Sequence, residues 1–221
     1  MRRFLAGVVF ALAVDGCTLP QQLFFAILPD ETIPILFANL KGLETPVQER
    51  LLDLERKQDW SGILVLADEA LAKDPRSPEW WFVKGHVLAQ LTRWPEAATA
   101  YAEAVQFNPL ELDGWFRLAR AQHLSGYKDR SINTLERSLQ VSRESSTTFF
   151  LLGELHRELG NSRAAIPAYR EALRLQPDLP GAWFGLGLIA GAEGRLGERD
   201  AIIERLKTLA PELAKQLADG R

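Results

Sequence analysis

Three histidines are the residues of this chain most able to support catalysis or metal binding. His86, His123 and His156 are widely separated in the sequence, and no carboxylate accompanies any of them at the i, i+4 spacing of a helical metal site. The sequence contains no nucleophile elbow, phosphate-binding loop, H-E-x-x-H motif or dinucleotide fingerprint. We therefore predict no catalytic residue, no metal site and no cofactor, and a protein that is not an enzyme.

A second group of residues that could bind a ligand is positively charged. If Arg120, His123 and Arg157 lie on one surface, they form a basic spot that could hold an acidic side chain or a C-terminal carboxylate. Alternatively, Arg157 pairs with Glu154 or Glu158 on its own helix and is simply solvated. The residues alone leave both interpretations open.

Composition narrows the classes of partner. The chain has 221 residues, a net charge of −3 and a sequence pI of about 5.7, and it contains no run of Lys and Arg. A phosphate backbone needs a basic face, so we predict no nucleic-acid partner. With 47% hydrophobic and 25% charged residues, the composition is ordinary for a folded protein. The single cysteine excludes an intrachain disulfide and a metal site built from several cysteines.

The elements that position these side chains follow a sequence repeat with a period of about 34 residues. Leu118, Leu152 and Leu186 recur once per period, and each precedes a small residue. Two more columns share this period: the aromatic residues Trp81, Trp115, Phe149 and Trp183, and the prolines Pro75, Pro109, Pro177 and Pro211. A fixed period of this length predicts stacked helical hairpins, and therefore an all-α chain.

Over residues 44–213 this pattern resembles the tetratricopeptide repeat family. In that family each repeat is a pair of antiparallel helices with a large residue at position 4, Leu-Gly at positions 7 and 8, an aromatic residue at 24 and proline at 32. The fourth repeat matches best, with Phe149, Leu152-Gly153, Tyr169 and Pro177. The resemblance implies a right-handed superhelical solenoid of about five repeats, with the frame 44–77, 78–111, 112–145, 146–179 and 180–213. Residues 214–221 would form a C-terminal cap or tail.

The resemblance also implies a binding surface, because partners of this family usually lie in the concave groove, the surface made by the first helix of each repeat. Phenylalanine fills position 5 in four repeats, which could give an apolar track for a peptide or a helix. The alternative is that these rings pack between neighbouring first helices. The predicted groove residues are Phe82, Phe116, Phe150, Phe184, His86, Arg120, His123 and Arg157.

Chaperone-binding members of the family hold a terminal carboxylate in a clamp of Lys and Asn. The corresponding positions here carry Phe82, His86, Arg117, Thr147 and Leu151. Only Arg117 could contribute to such a clamp, so we do not expect that activity.

The N-terminus has the composition of an export signal. Arg2 and Arg3 precede an apolar run from Phe4 to Val14, which is too short to span a membrane. Residues 1–17 also resemble a bacterial lipoprotein signal: Val14, Gly16 and Cys17 fit its lipobox, whereas Asp15 departs from it. The resemblance implies lipidation of Cys17, a membrane anchor, and an outer-membrane protein that faces the periplasm.

Two other interpretations of the N-terminus remain. Ala11-Leu12-Ala13 has the form cut by ordinary signal peptidase, which would give a soluble periplasmic protein. A wrongly chosen start codon would instead leave the protein in the cytosol.

Residues 18–43 contain two apolar patches, at residues 23–28 and 33–37. They could cover the open first repeat, because a bare solenoid end exposes core, or they could serve as a docking segment. We therefore predict a non-enzymatic adaptor of the bacterial envelope that binds a protein or peptide and no small-molecule substrate. The alternative is a structural subunit that self-associates through residues 18–43.

Overall fold

The computed structural model describes residues 45–220, and this part of the chain consists of eleven α-helices and no strand. The predictions for Cys17, for the export signal and for residues 18–43 lie outside the described residues. The helices are α1 Thr45–Arg56, α2 Trp60–Lys73, α3 Pro78–Gln90, α4 Trp94–Phe107, α5 Leu112–Leu124, α6 Lys128–Val141, α7 Ser146–Glu158, α8 Ser162–Leu175, α9 Pro180–Ala192, α10 Leu196–Leu209 and α11 Pro211–Ala218.

The helices pack in sequence order, each against the next, and α7 also contacts α9. Each of the five pairs from α1/α2 to α9/α10 falls within one repeat of the sequence frame. The prediction of an all-α tetratricopeptide-like solenoid of about five repeats is confirmed. The last helix, α11, packs on α9 and α10. Within residues 45–220, no helix combines the length and the apolar character that crossing a membrane requires.

Close packing within a repeat depends on a glycine that faces a tyrosine. A Cβ atom on Gly85 would stand 2.7 Å from the Tyr101 ring, and one on Gly153 would stand 2.6 Å from the Tyr169 ring. Contacts this short are not tolerated in a packed interior, so position 8 must be glycine where position 24 is tyrosine. The column of small residues in the sequence therefore reports a contact between the two helices of one repeat.

The junctions between repeats share a hydrogen bond from an indole to a proline carbonyl. The Nε1–H of Trp81 donates to Pro75 O at 2.9 Å, and the same bond joins Trp115 to Pro109 at 2.8 Å and Trp183 to Pro177 at 2.9 Å. A buried or half-buried indole N–H requires such an acceptor. The bond ties the first helix of one repeat to the turn that ends the preceding repeat.

The junction between the third and fourth repeats is built differently. Arg143 and Phe149 stand where the other junctions have proline and tryptophan. Hydroxyl groups are buried there instead: Ser138 Oγ donates to Leu135 O at 2.7 Å and lies 3.4 Å from Thr148 Oγ1. These bonds satisfy the buried hydroxyls, but they act mostly within one element rather than between repeats.

Each turn between the two helices of a repeat has one residue in the left-handed backbone region. Glycine occupies it in the last three repeats, for example Gly160 with φ of 71°. The first two repeats place Gln58 and Thr92 there, with φ of 53° and 57°. Left-handed backbone is costly for residues with a Cβ, so these two turns carry strain that the later turns avoid.

Candidate functional site

The four phenylalanines at position 5 do not form one exposed row. Phe150 and Phe184 are 0% and 2% exposed, and both belong to the core that runs from the third repeat to the C-terminal helix. The Phe150 ring packs on Tyr169 with 6.1 Å between ring centroids. The prediction that these two rings line an open groove is therefore corrected. Small residues such as Gly185 bring α9 so close to its neighbours that the rings are enclosed.

Phe82 and Phe116 differ from the other two, because both remain partly exposed. Phe82 meets the edge of Tyr101 with 5.5 Å between centroids and an interplanar angle of 66°. The Arg117 guanidinium lies over the Phe82 ring at 5.2 Å. The first helices of the second and third repeats therefore present half-buried aromatic rings, one of them covered by a cation.

The prediction that Arg120, His123 and Arg157 form one basic spot is also corrected, because the three side chains contact different residues in different parts of the fold. Arg157 Nη2 lies 2.7 Å from Glu154 Oε2, and that carboxylate also accepts a hydrogen bond from the Tyr169 hydroxyl. Glu154 is only 2% exposed. The alternative in which Arg157 pairs on its own helix is thus confirmed, but the pair is largely buried rather than solvated.

Burial and charge tune this cluster. Desolvation raises the pKa of the Tyr169 phenol, and the adjacent Glu154 carboxylate raises it further, so the phenol stays a donor. Burial by itself would lower the pKa of Arg157, but its hydrogen bond and ion pair with Glu154 outweigh burial and raise it. The cluster therefore holds a neutral phenol and a compensated ion pair.

His123 lies in a second cluster, between repeats. It is buried, and its Nε2 is 3.6 Å from Glu158 Oε2, an oxygen that also lies 3.0 Å from Lys128 Nζ. Desolvation is the main cause that lowers the pKa of His123; Glu158 opposes this shift and Lys128 adds to it. His123 thus helps to join α5, α6 and α7 and does not face a groove.

His86 is likewise buried, at 2% exposure, and its Nε2 lies 3.4 Å from Gln90 Nε2. Its placement corrects the prediction that it lines the groove, because the helix turns this position towards the core. Among residues 45–220, no group of three or more His, Cys, Asp or Glu residues is arranged to hold a metal ion.

Arg120 remains partly exposed and lies over the Trp94 ring, with 5.9 Å from its Cζ to the ring centroid. It borders a small pocket where α5 meets α3 and α4. We call this the Tyr101 pocket; its lining residues are Ala89, Trp94, Tyr101, Arg117, Arg120 and Ala121. Sequence reasoning assigned Arg120 to the binding surface but not Tyr101 or Trp94, although tyrosine at position 24 above a bare glycine was a visible signal.

The sequence pattern of the Tetratricopeptide repeat family matches residues 65–111, 84–146 and 150–211, which together are more than half of the chain. The chain belongs to the tetratricopeptide repeat family. Members of this family are scaffolds for protein–protein interaction, and their stacked repeats form extended concave binding surfaces. This tetratricopeptide protein therefore has the fold of a protein-binding scaffold.

Curated relatives are longer proteins. The chain is 27% identical over 153 residues to Anaphase-promoting complex subunit 7 of Arabidopsis thaliana, a match that covers 69% of this chain and 27% of that protein. It is 26% identical over 153 residues to Protein O-mannosyl-transferase TMTC1 of Homo sapiens, covering 67% of this chain and 17% of that protein. The tetratricopeptide chain thus spans less than a third of the length of either relative.

Solved structures match most of the solenoid. YrrB, whose structure is described as a TPR protein with an unusual peptide-binding site, superposes with a TM-score of 0.65 at 15% identity, covering 86% of this chain and 98% of YrrB. MamA superposes with a TM-score of 0.64 at 20% identity, covering 79% of this chain and 93% of MamA. At these identities the likeness shows the fold.

Proposed function

We propose that this chain is a non-enzymatic adaptor that binds a polypeptide partner along the first helices of its second and third repeats. The observation that carries the proposal is the contrast along the position-5 column. Phe82 and Phe116 are half-buried, whereas Phe150 and Phe184 are enclosed in the core. Partly exposed aromatic rings flanked by arginine are typical of the residues that dominate protein interfaces.

The composition of this surface indicates the partner. Phe82 and Phe116 supply apolar contact area, and Arg117 and Arg120, one turn apart on α5, supply positive charge. A segment with apolar and acidic side chains complements such a surface. In the fourth repeat Arg157 pairs with the buried Glu154, whereas Arg117 pairs with Asp113, which remains partly exposed.

We further propose that the adaptor works at the bacterial cell envelope, exported by residues 1–16 and anchored through a lipid on Cys17. Support comes from Arg2, Arg3, the apolar run and the partial lipobox. Labelling cells with a palmitate analogue tests the anchor: the label is expected on the wild type and absent from Cys17→Ala. A label that persists in Cys17→Ala would refute lipidation at this residue.

The binding surface is tested by placing the photo-crosslinking residue p-benzoylphenylalanine at position 116, on α5, or at position 137, an exposed residue of α6. A partner crosslinked from 116 and not from 137 would support the proposal. Equal crosslinking from both positions would move the interface elsewhere. Crosslinks only between copies of this chain would favour the alternative function, a self-associating structural subunit.

A further inference from the structure

Six large apolar side chains are exposed among residues 45–220, and three of them share one edge of the solenoid. These three are Tyr127, Leu159 and Leu196, with exposures of 49%, 46% and 53%. They belong to the third, fourth and fifth repeats, one to each repeat. We call these three side chains the apolar edge.

The stacking of the helices places the apolar edge in one line. Tyr127 ends the turn between α5 and α6, Leu159 begins the turn between α7 and α8, and Leu196 is the first residue of α10, just after the turn from α9. Helices joined by such short turns are antiparallel, so the turns within repeats share one edge and the turns between repeats share the opposite edge. Packed helices are about 10 Å apart, so the three side chains follow one another at spacings of that order.

Positive charge accompanies the apolar edge in the third and fourth repeats. The Arg130 guanidinium is exposed and lies over the Tyr127 ring, with 4.7 Å from its Cζ to the ring centroid. Arg163, in the first turn of α8, is exposed as well. Lys128 pairs with the largely buried Glu158, but 35% of the Lys128 side chain remains exposed. The edge therefore combines apolar side chains with exposed cations.

Acidic groups along this edge do not cancel the positive charge of those two repeats. Residues 125–130 carry two cations against Asp129, and residues 159–163 carry one cation and no acidic residue. In the fifth repeat Arg195 pairs with Glu193 and Glu198, so the charges there are balanced. The whole chain has a net charge of −3, so the excess of cations at the third and fourth repeats is a local one.

The small area and the composition of the apolar edge indicate its occupant. Three side chains in a single row offer too little area for a stable protein interface, which needs about 800 Å² from each partner. A membrane surface requires only that apolar side chains reach roughly 5–10 Å into the headgroup region, while cations remain beside the lipid phosphates. A tyrosine ring beneath a guanidinium suits this boundary, because both side chains have an apolar body and a polar end.

We propose that this edge of the solenoid lies on an anionic phospholipid surface, with the apolar edge among the headgroups and Arg130 and Arg163 beside the phosphates. The inference rests on the proposed function, because an exported chain with a lipid on Cys17 is held at a membrane. Residues 18–44 can span at most about 95 Å, which is enough for the edge to reach the same membrane. Since the helices run from one edge to the other, the groove stays open to a polypeptide partner.

The test places the environment-sensitive fluorophore NBD on a single cysteine at position 159 or at position 110 of the full Cys17→Ser chain, which has no other cysteine. The vesicles are phosphatidylcholine alone or phosphatidylcholine with about 30% phosphatidylglycerol. Residues 4–14 are apolar and can bind lipid themselves, so the readout must be local. NBD at 159 is expected to shift to the blue and to gain at least about twofold in intensity, on the anionic vesicles only. NBD at 110, an exposed position on the opposite edge, is expected to stay unchanged.

Charge variants test the role of the two arginines. Arg130→Glu/Arg163→Glu is expected to weaken the vesicle affinity reported from position 159 at least about tenfold. Lys73→Glu/Arg143→Glu is the matched control, because it changes the net charge equally at exposed residues beside the opposite edge and should respond like the parent chain. Circular dichroism checks that both variants remain folded.

Apolar variants test insertion in the same way. Tyr127→Ser/Leu196→Ser is expected to weaken the response at position 159, whereas Leu52→Ser/Val65→Ser, which changes two exposed apolar residues of the first repeat, is expected to leave it intact.

Three results would overturn the membrane assignment: no response at 159 on anionic vesicles, equal responses at 159 and 110, or an equal loss in the two charge variants. A response at 159 that needs no vesicles and rises with protein concentration, together with dimers in sedimentation velocity, would assign the edge to a second copy of this chain instead.

The edge and the proposed function fail separately. A vesicle response at position 159, in a chain whose Cys17 takes no palmitate analogue in cells, would keep the membrane-binding edge and remove the anchor. Palmitate on Cys17 with no response at 159 would keep the anchor and remove the edge. Neither result changes the crosslinking expected from position 116, because the groove takes no part in the lipid contact.

Discussion

The hydroxyl of Tyr169 donates a hydrogen bond to Oε1 of Glu154, and both residues are buried at the contact between α7 and α8. Glu154 stands at a position that faces the groove in the sequence frame, yet its carboxylate is enclosed. Arg157 reaches the other oxygen, Oε2, at 2.7 Å, so both oxygens of the carboxylate are bonded. A buried carboxylate is tolerated when it is paired and hydrogen-bonded in this way, and removing one partner exposes its desolvation cost.

Tyr169→Phe is therefore expected to lower the free energy of unfolding by about 1–3 kcal/mol, because one oxygen of a buried carboxylate loses its donor. Urea denaturation at neutral pH measures the change. The cycle with Glu154→Leu tests the contact, since leucine has no acceptor and the two substitutions should couple if they remove the same hydrogen bond. Strict additivity of the single and double variants would mean that the bond contributes nothing to stability.

The same substitution should change the alkaline limb of the stability curve. The pKa of Tyr169 is raised above its ordinary value of 10.0 in the folded state. The contribution of Tyr169 to the free energy of unfolding is therefore complete at a pH below the pKa of the phenol in the unfolded chain. It is lost as the pH rises through the higher pKa of the phenol in the folded chain. The stability advantage of the wild type over Tyr169→Phe should shrink when urea denaturation is repeated above about pH 10. An advantage that stays constant with pH would contradict the assignment.

The period of the repeat predicted the fold because it reflects backbone packing. Glycine at position 8 and tyrosine at position 24 recur together because they contact each other within a repeat, as Gly153 and Tyr169 do. The exposure of the predicted groove residues was harder to predict, because the position of a residue on its helix does not show how closely the next helix packs against it. Phe82 and Phe150 share a column, but only Phe150 is enclosed.

The junction between the third and fourth repeats lacks the hydrogen bond from an indole to a backbone carbonyl, and a substitution should introduce it. Phe149→Trp places an indole N–H within the geometry that joins Trp183 to Pro177 O, with Arg143 O as the expected acceptor. We expect the free energy of unfolding to rise by about 1 kcal/mol, the usual net contribution of such a bond. Trp183→Phe is the reciprocal control and should lose a comparable amount, also measured by urea denaturation. Destabilisation by Phe149→Trp would show that the half-buried site cannot accept the larger ring.

The turn between α3 and α4 also carries removable strain. Thr92 adopts φ of 57°, whereas the corresponding residue in the fourth repeat is Gly160 with φ of 71°. Thr92→Gly should raise the free energy of unfolding by roughly 0.5–1 kcal/mol, because relief of the left-handed strain exceeds the entropy that glycine adds to the unfolded chain. Thermal unfolding should show the opposite shift for Gly160→Thr. Were Thr92→Gly less stable than the wild type, the strain argument would be wrong.

The sequence predicted His123 as a groove residue in a basic spot, because its helix position does not show which side chains of neighbouring repeats contact it. What decides it is the approach of α7, which brings Glu158 to 3.6 Å from the imidazole. Periodicity fixes which residues share a helix face, but not which charge from a neighbouring repeat will meet them. Arg157 was easier to assign, because Glu154 lies on its own helix one turn away.

His123 should make the solenoid sensitive to acid. Its pKa is lowered from 6.5 in the folded state, mainly by burial, with Lys128 adding to the shift and Glu158 opposing it. The unfolded chain therefore binds the proton more readily, so the stabilising contribution is present above pH 6.5 and is lost as the pH falls below it. Urea denaturation between pH 7.5 and about pH 5 should show a smaller loss of stability for His123→Gln than for the wild type. His156→Gln, which removes a half-buried imidazole from α7, is the control for the loss of a histidine elsewhere in the fold. If His123→Gln and the wild type lose stability in parallel, another group is responsible for the acid sensitivity.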